Sequence, residues 1–197
     1  MPSAGNTLTV REYQAKWLEL YNTKFAASVL GTCTGATPTE DGYALPLDRN
    51  LIAANPSVLD QPHHDYPAID LMVPEGSPVY AVRAGTVARV VDWPHNCYQY
   101  GRCDQTCGIG LSINGDDGAR YIYCHGSRLN GLAVGDTVAA ADLLMWSGNT
   151  GRSGGPHLHL EIRVDGIQRC PQQLLQQLFA NGAGPRAADL PATGCSF

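Results

Sequence analysis

Residues 147–163, SGNTGRSGGPHLHLEIR, constrain this chain more than any other stretch. From His157 onward, Leu158, Leu160, Ile162 and Val164 alternate with His159, Glu161, Arg163 and Asp165. An apolar/polar period of two belongs to a half-buried strand, whose successive side chains point to opposite faces. His157 and His159 therefore share one face, opposite the apolar set. Upstream, Gly148, Gly151, Gly154 and Gly155 form a loop that lets backbone approach closely, and Pro156 fixes the entry to the strand. Two imidazoles this close can share one metal, or one can bind metal while the other works on a substrate. Taken alone, two exposed strand histidines is an equal alternative.

The rest of the chain reads mainly as β. Val, Ile and Tyr enrichment predicts strands over 78–82, 86–91, 110–113 and 119–124. Gly115-Asp116-Asp117-Gly118 is a hairpin turn, and Val134-Gly135-Asp136-Thr137-Val138 is another turn between short strands. Helices are expected at the two ends. Thr9 and Glu12 form a capping box ahead of Val10, Tyr13, Trp17, Leu20 and Tyr21 at helical spacing, and Gly31 stops the run. Pro171 opens an amphipathic helix, QQLLQQLF, that ends at Asn181-Gly182. The expected organisation is an N-terminal helix and linker over 1–41, a central domain over 42–168, and a C-terminal helix and tail over 169–197 packed on it.

A chain of 197 residues, 44% apolar, can bury a real core. A net charge of −5 speaks against a nucleic-acid partner, and no window approaches a membrane-spanning run. The N-terminus lacks the charged-then-apolar pattern of a signal peptide. Seven cysteines nevertheless point to an oxidising, extracytoplasmic compartment. Cys97, Cys103 and Cys107 lie in one loop without the second ligand pair that zinc would need. Cys170 and Cys195 could staple the tail, Cys33 could bridge to either group, and Cys124, in an apolar strand, is read as the odd free thiol. Trp93, Tyr98 and Tyr100 in the cysteine loop either wall a groove or belong to a stapled surface loop.

Five of the six histidines fall in three places: His63-His64 ahead of Asp70, His125 at the end of YIYC, and the His157/His159 pair. Only His95 stands apart. Ile69, Leu71 and Val73 alternate around Asp70, which puts its carboxylate on the polar face of a strand. Two imidazoles and one carboxylate suit zinc and leave a fourth position open for water or a substrate oxygen. The remaining histidines could then orient that water, take its proton or donate to an oxyanion.

The segments HHDYPAID, YIYCHGSRL and GNTGRSGGPHLHLEIRVDG, with EGSPVYAVRAGTVARV between them, resemble the lysostaphin/LytM-type zinc endopeptidases that cut peptidoglycan peptides. The resemblance covers about residues 42–168. It implies an antiparallel β-sheet whose face forms an open groove, one zinc ion per chain, peptidoglycan peptides as partners, and a monomer. It makes Asp70 and His159 zinc ligands and His125 and His157 the catalytic histidines. Its usual His-x-x-x-Asp form would place a histidine where this chain has Tyr66, so His63 or His64 must reach back. Neighbours in an extended segment point opposite ways, so only one of the two is expected to bind, with His63 preferred and the other on the rim. Tyr66, Arg152 and Ser153 are candidate substrate contacts, Tyr123 is a wall or packing residue, and Glu161 is placed on the outer face of its strand. Two rivals stay open: a wall-binding module without activity, and a cupin-like metal-binding barrel with its own His-x-His strand.

Overall fold

The alternation after His157 does build a strand, and the rest of the sheet is arranged around it. The computed structural model describes residues 37–61 and 63–195; the expected N-terminal helix over 9–30 and Cys33 lie outside these. The strands are β1 (Ile69–Leu71), β2 (Pro78–Tyr80), β3 (Gly85–Val91), β4 (Ile109–Gly115), β5 (Ala119–Leu129), β6 (Thr137–Val138), β7 (Leu143–Ser147), β8 (Leu158–Val164) and β9 (Ile167–Arg169). They pair antiparallel in the order β1-β8-β5-β4-β3-β6, with β9 on β8 and β2 beyond β7. Among the described residues three α-helices accompany them: α1 (Arg49–Ala54), α2 (Cys97–Tyr100) and α3 (Gln172–Asn181).

One face of β8 and β5 carries Leu158, Leu160, Ile162, Tyr121 and Tyr123, all fully buried. This is the core face. Leu174, Leu175 and Leu178 of α3 join the same core, and the helix ends on Gly182 in the left-handed region. Buried Gln172 donates from Nε2 to the Ala68 carbonyl at 2.8 Å, tying α3 to the segment that leads into β1. The Cys170–Cys195 disulfide staples the tail, as its spacing suggests. Tyr123 is a core residue, and its hydroxyl accepts from the Val82 amide at 2.9 Å.

The opposite face is a floor of aligned rows. The register places Asp70 beside His159 and His159 beside Cys124. The next row sets Glu161 beside Ile122, Ile122 beside Ser112, and Ser112 beside Arg89. Beyond it lie Arg163, Arg120 and Asn114. Glu161 thus shares the face of His159, not an outer one, and only 5% of it is exposed.

β5 runs five residues past the expected end at Cys124, through a change of partner. Its first half pairs with β8 and its last part, from Gly126, with β7. His125 stands at the break with φ +66°, an unusual conformation for a residue with a Cβ.

Candidate active site

Four loops and strands deliver the histidines to one place. β8 supplies His159, and the turn before it His157. β1 supplies Asp70, and the bend at the end of β5's first half supplies His125. Residues 63–67 close the remaining side. The ring centroids of His125 and His157 are 4.7 Å apart, those of His125 and His159 5.7 Å, and those of His63 and His159 4.9 Å.

Hydrogen bonds settle which nitrogen faces the centre. His125 Nδ1 lies 2.7 Å from the Thr150 carbonyl, and His157 Nδ1 lies 2.8 Å from the Gly155 carbonyl. A carbonyl only accepts, so both Nδ1 atoms carry a proton, and in the neutral ring Nε2 then presents a lone pair. His157 Nε2 is 3.6 Å from Asp70 Oδ1. His159 points the other way round: its Nδ1 is 2.8 Å from Asp70 Oδ1, and its Nε2 is 3.4 Å from the Tyr66 hydroxyl.

The charges are matched to this arrangement. Burial pushes His125 down to about 3, helped by neighbouring His157, so the ring is neutral at neutral pH. Burial also lowers His63. For Asp70, burial works to raise the pKa, but the hydrogen bond from His159 and the surrounding imidazoles outweigh it and hold the carboxyl below its usual value. Burial raises Tyr66 to about 12, which keeps the phenol protonated.

The donor set fits a zinc ion. One nitrogen each from His63 and His64 and one oxygen of Asp70 lie within 4.8 Å of one another. Asp70 Oδ1 and His159 Nδ1, at 2.8 Å, are a few tenths of an ångström closer than the roughly 3.3 Å that two ligands of a tetrahedral zinc would keep. Asp70 therefore belongs to two candidate sets of different standing: His63 and His64 complete the one whose ligand atoms the structure brings together, and His63 and His159 complete the one the sequence predicts, whose three ligand atoms are not gathered within that reach. The two adjacent histidines do not point opposite ways. Residues 64–67 bend and are not extended, so the rings stack with centroids 4.5 Å apart. His63 is the more buried and packs on Tyr66 and His159, whereas the His64 side chain is 76% exposed and pairs with Asp65.

The candidate substrate contacts separate. Tyr66 and Arg152 line the groove, which has a volume of about 580 Å³. Ser153 does not, contrary to expectation: it is 2% exposed, and its hydroxyl donates to the Gly155 carbonyl at 2.7 Å, 3.3 Å from His157 Nδ1. It supports the histidine loop instead. Of the loop aromatics, Tyr98 lines the groove, while Trp93, His95 and Tyr100 pack on one another.

Several residues of the site have no strong signal in the sequence. Cys124 is not a free thiol but bonds to Cys107, and both sit in the groove lining directly beside His125. The His125 amide donates to the Cys107 carbonyl at 2.8 Å. Cys97 pairs with Cys103. Thr150 accepts from the Ile109 amide and donates to the Gly126 carbonyl, which fixes the carbonyl that holds His125. Close approach in the glycine loop is real at Gly151, where a methyl group would collide with the Thr106 carbonyl; at Gly154 and Gly155 a Cβ would meet nothing.

Asn96 joins the cysteine loop to the glycine loop. Its Nδ2 donates to the carbonyls of Asn149 and Ser153 at 2.7 and 2.8 Å, and its Oδ1 caps α2 by accepting from Tyr98 and Gln99. An Asn96→Ala variant is expected to lose about 1–3 kcal/mol in urea unfolding, the cost of a lost cap and orphaned carbonyls. It should also turn over more slowly, because the loop it releases carries Thr150 and Gly155.

The sequence pattern of Peptidase family M23 matches residues 64–171. The chain belongs to this family. The M23 match takes in His64, Asp70, His125, His157 and His159, and leaves out His63. Lysostaphin of Staphylococcus staphylolyticus is 33% identical over 130 residues, 64% of this chain and 25% of its own length. The glycyl-glycine endopeptidase ALE-1 of Staphylococcus capitis is 36% identical over 93 residues, 47% of this chain and 23% of its own. This chain thus spans about a quarter of either relative. The solved structure of the antimicrobial peptidase lysostaphin from Staphylococcus simulans superposes with a TM-score of 0.51 at 26% identity, over 70% of this chain and 57% of that one. The mainly antiparallel β fold is therefore shared within M23.

Proposed function

We propose that this M23 chain is a zinc metalloendopeptidase that hydrolyses peptide bonds in bacterial peptidoglycan stem or cross-bridge peptides. The observation that carries the reading is the convergence of five groups at an open groove: His63, His125 and His159 line it, and Asp70 and His157 stand directly beside them. His63, Asp70 and His159 would hold the zinc, with His64 on the rim. Zinc bound there would supply Lewis-acid polarisation of the scissile carbonyl and acidify water.

The protein's own groups do the remaining work. His157 Nε2 takes the proton of the attacking water. The imidazolium so formed stands 3.6 Å from Asp70 Oδ1, which stabilises it, and it then protonates the leaving amine. His125 stays neutral, accepts a hydrogen bond from the same water and holds it in line. The Thr150 and Gly155 carbonyls lock both tautomers. Tyr66, protonated at the groove edge, can donate to the developing oxyanion.

Three disulfides favour an extracytoplasmic location, and among the described residues no helix is long and apolar enough to cross a membrane. The test is elemental analysis of the purified full chain beside digestion of purified peptidoglycan, scored by newly released amino groups. About one zinc per chain and new amines, both abolished by a chelator and restored by zinc, are expected. A chain that takes up no zinc when it is supplied refutes the proposal.

A further inference from the structure

The groove floor carries positive charge that the catalytic chemistry does not use. Arg89, Arg120, Arg152 and Arg163 line it, against Asp65 and Glu161. Glu161 is occupied by Arg163, and Asp65 lies 3.1 Å from His64 Nε2, which offsets its charge only when that ring is protonated, and bonds no arginine. Arg89 and Arg120 bond only to neutral amides, those of Gln105 and Asn114, and the Arg152 side chain has no partner among the described residues. Three guanidiniums thus face the groove without a carboxylate, in a chain whose net charge is −5.

The placement of Arg120 makes the point independently. It stands directly across from Arg163 in the β5–β8 register. Like charges directly opposite each other in an antiparallel pair destabilise it. Glu161 pairs with Arg163, and Arg120 has no carboxylate bonded to it among the described residues. Both arginines also line a second cavity of about 400 Å³ that continues the floor towards the β4–β5 turn, where Asp165 is the acidic neighbour. The groove therefore runs past the arginine pair and does not stop at it.

Resting on the peptidase reading above, we infer that this groove selects peptides bearing free carboxylates over neutral ones such as oligoglycine. Arg120 is the residue that reads the charge, with Arg163 and Arg89 beside it. Arg163 lies four residues along β8 from His159, or roughly 13 Å at strand rise. An extended substrate covers that distance in three or four residues. The favoured carboxylate is accordingly three or four residues from the bond that is cut. Acidic stem peptides, whose γ-linked glutamate leaves an α-carboxyl free, have this character, and glycine bridges do not.

The experiment compares two synthetic stem peptides that differ only in a free carboxyl against its carboxamide, with the zinc-loaded full chain. The acid is expected to have a kcat/KM about ten- to a hundred-fold higher, the worth of one charge-assisted hydrogen bond to a carboxylate. That ratio should shrink as salt is raised. Arg120→Gln should bring it towards one, chiefly by raising KM for the acid, and Arg120→Lys should restore part of it. A ratio of one in the unaltered protein, or the same ratio in Arg120→Gln, overturns the inference while leaving the peptidase reading intact. Failure to cut either peptide and whole peptidoglycan overturns that reading, and the inference with it.

Discussion

An Asp70→Ala variant is expected to purify without zinc and to release no amino groups from peptidoglycan. His159→Ala should behave the same way, and His64→Ala should keep its metal. The argument rests on how the ligands are shared. Asp70 is common to both candidate sets, so its loss leaves at most imidazoles. A structural zinc site is worth about 10–16 kcal/mol in small zinc-binding peptides, so one ligand in four carries on the order of 3 kcal/mol, or a hundredfold and more in affinity. His159 and His64 decide between the sets. His159 is buried and already points Nδ1 at Asp70, so it gives up little freedom on binding a metal. His64 is exposed and would have to leave Asp65. Elemental analysis of the three variants beside the unaltered chain checks this. Zinc retained in His159→Ala and lost in His64→Ala would reverse the assignment.

The centre of the site was legible because it obeys strand periodicity. Period two from Leu158 puts His159 on a polar face, and the same reasoning around Ile69 and Leu71 puts Asp70 on one. Two short strands with a carboxylate and an imidazole at matching positions need only to pair, and they do. The hairpin at Gly115–Gly118 and the helix opened by Pro171 are local signals, and both appear where their residues place them. The arginine rows were equally present in the alternation: Glu161 and Arg163 continue the face of His159, and the outer-face reading of Glu161 went against that period.

What was not legible depends on register or on single departures from regular backbone. Cys107 and Cys124 meet because Ile109 pairs with Gly126 across β4 and β5, a fact of strand pairing that no spacing along the chain reveals. His63 and His64 stack because residues 64–67 bend, and the opposite-faces rule holds only for extended chain. Ser153 turns inward because the Gly155 carbonyl is within its reach, a contact set by the loop's path. The strand through Cys124 looked finished because the Tyr/Ile run stops there, yet the left-handed residue His125 is where β5 changes partner and continues.

His125→Ala should lower peptidoglycan cleavage by about a hundredfold or more, the worth of holding the attacking water in line, and leave zinc content unchanged. His125 reaches the centre only because its backbone sits at φ +66°, and that conformation costs of order 1–3 kcal/mol for a residue with a Cβ. The surroundings hold it from several sides: the amide on Cys107, the disulfide at Cys124, Nδ1 on Thr150, and Thr150 on Ile109 and Gly126. Alanine keeps the strained backbone and deletes the ring, so unfolding should move little while turnover collapses. His125→Gln, which keeps a hydrogen-bonding group but not the imidazole, separates orientation from proton handling: partial recovery assigns His125 to holding the water, as the bond to Thr150 and the neutral ring suggest. Near-normal cleavage in His125→Ala would remove His125 from the mechanism and leave His157 to act alone.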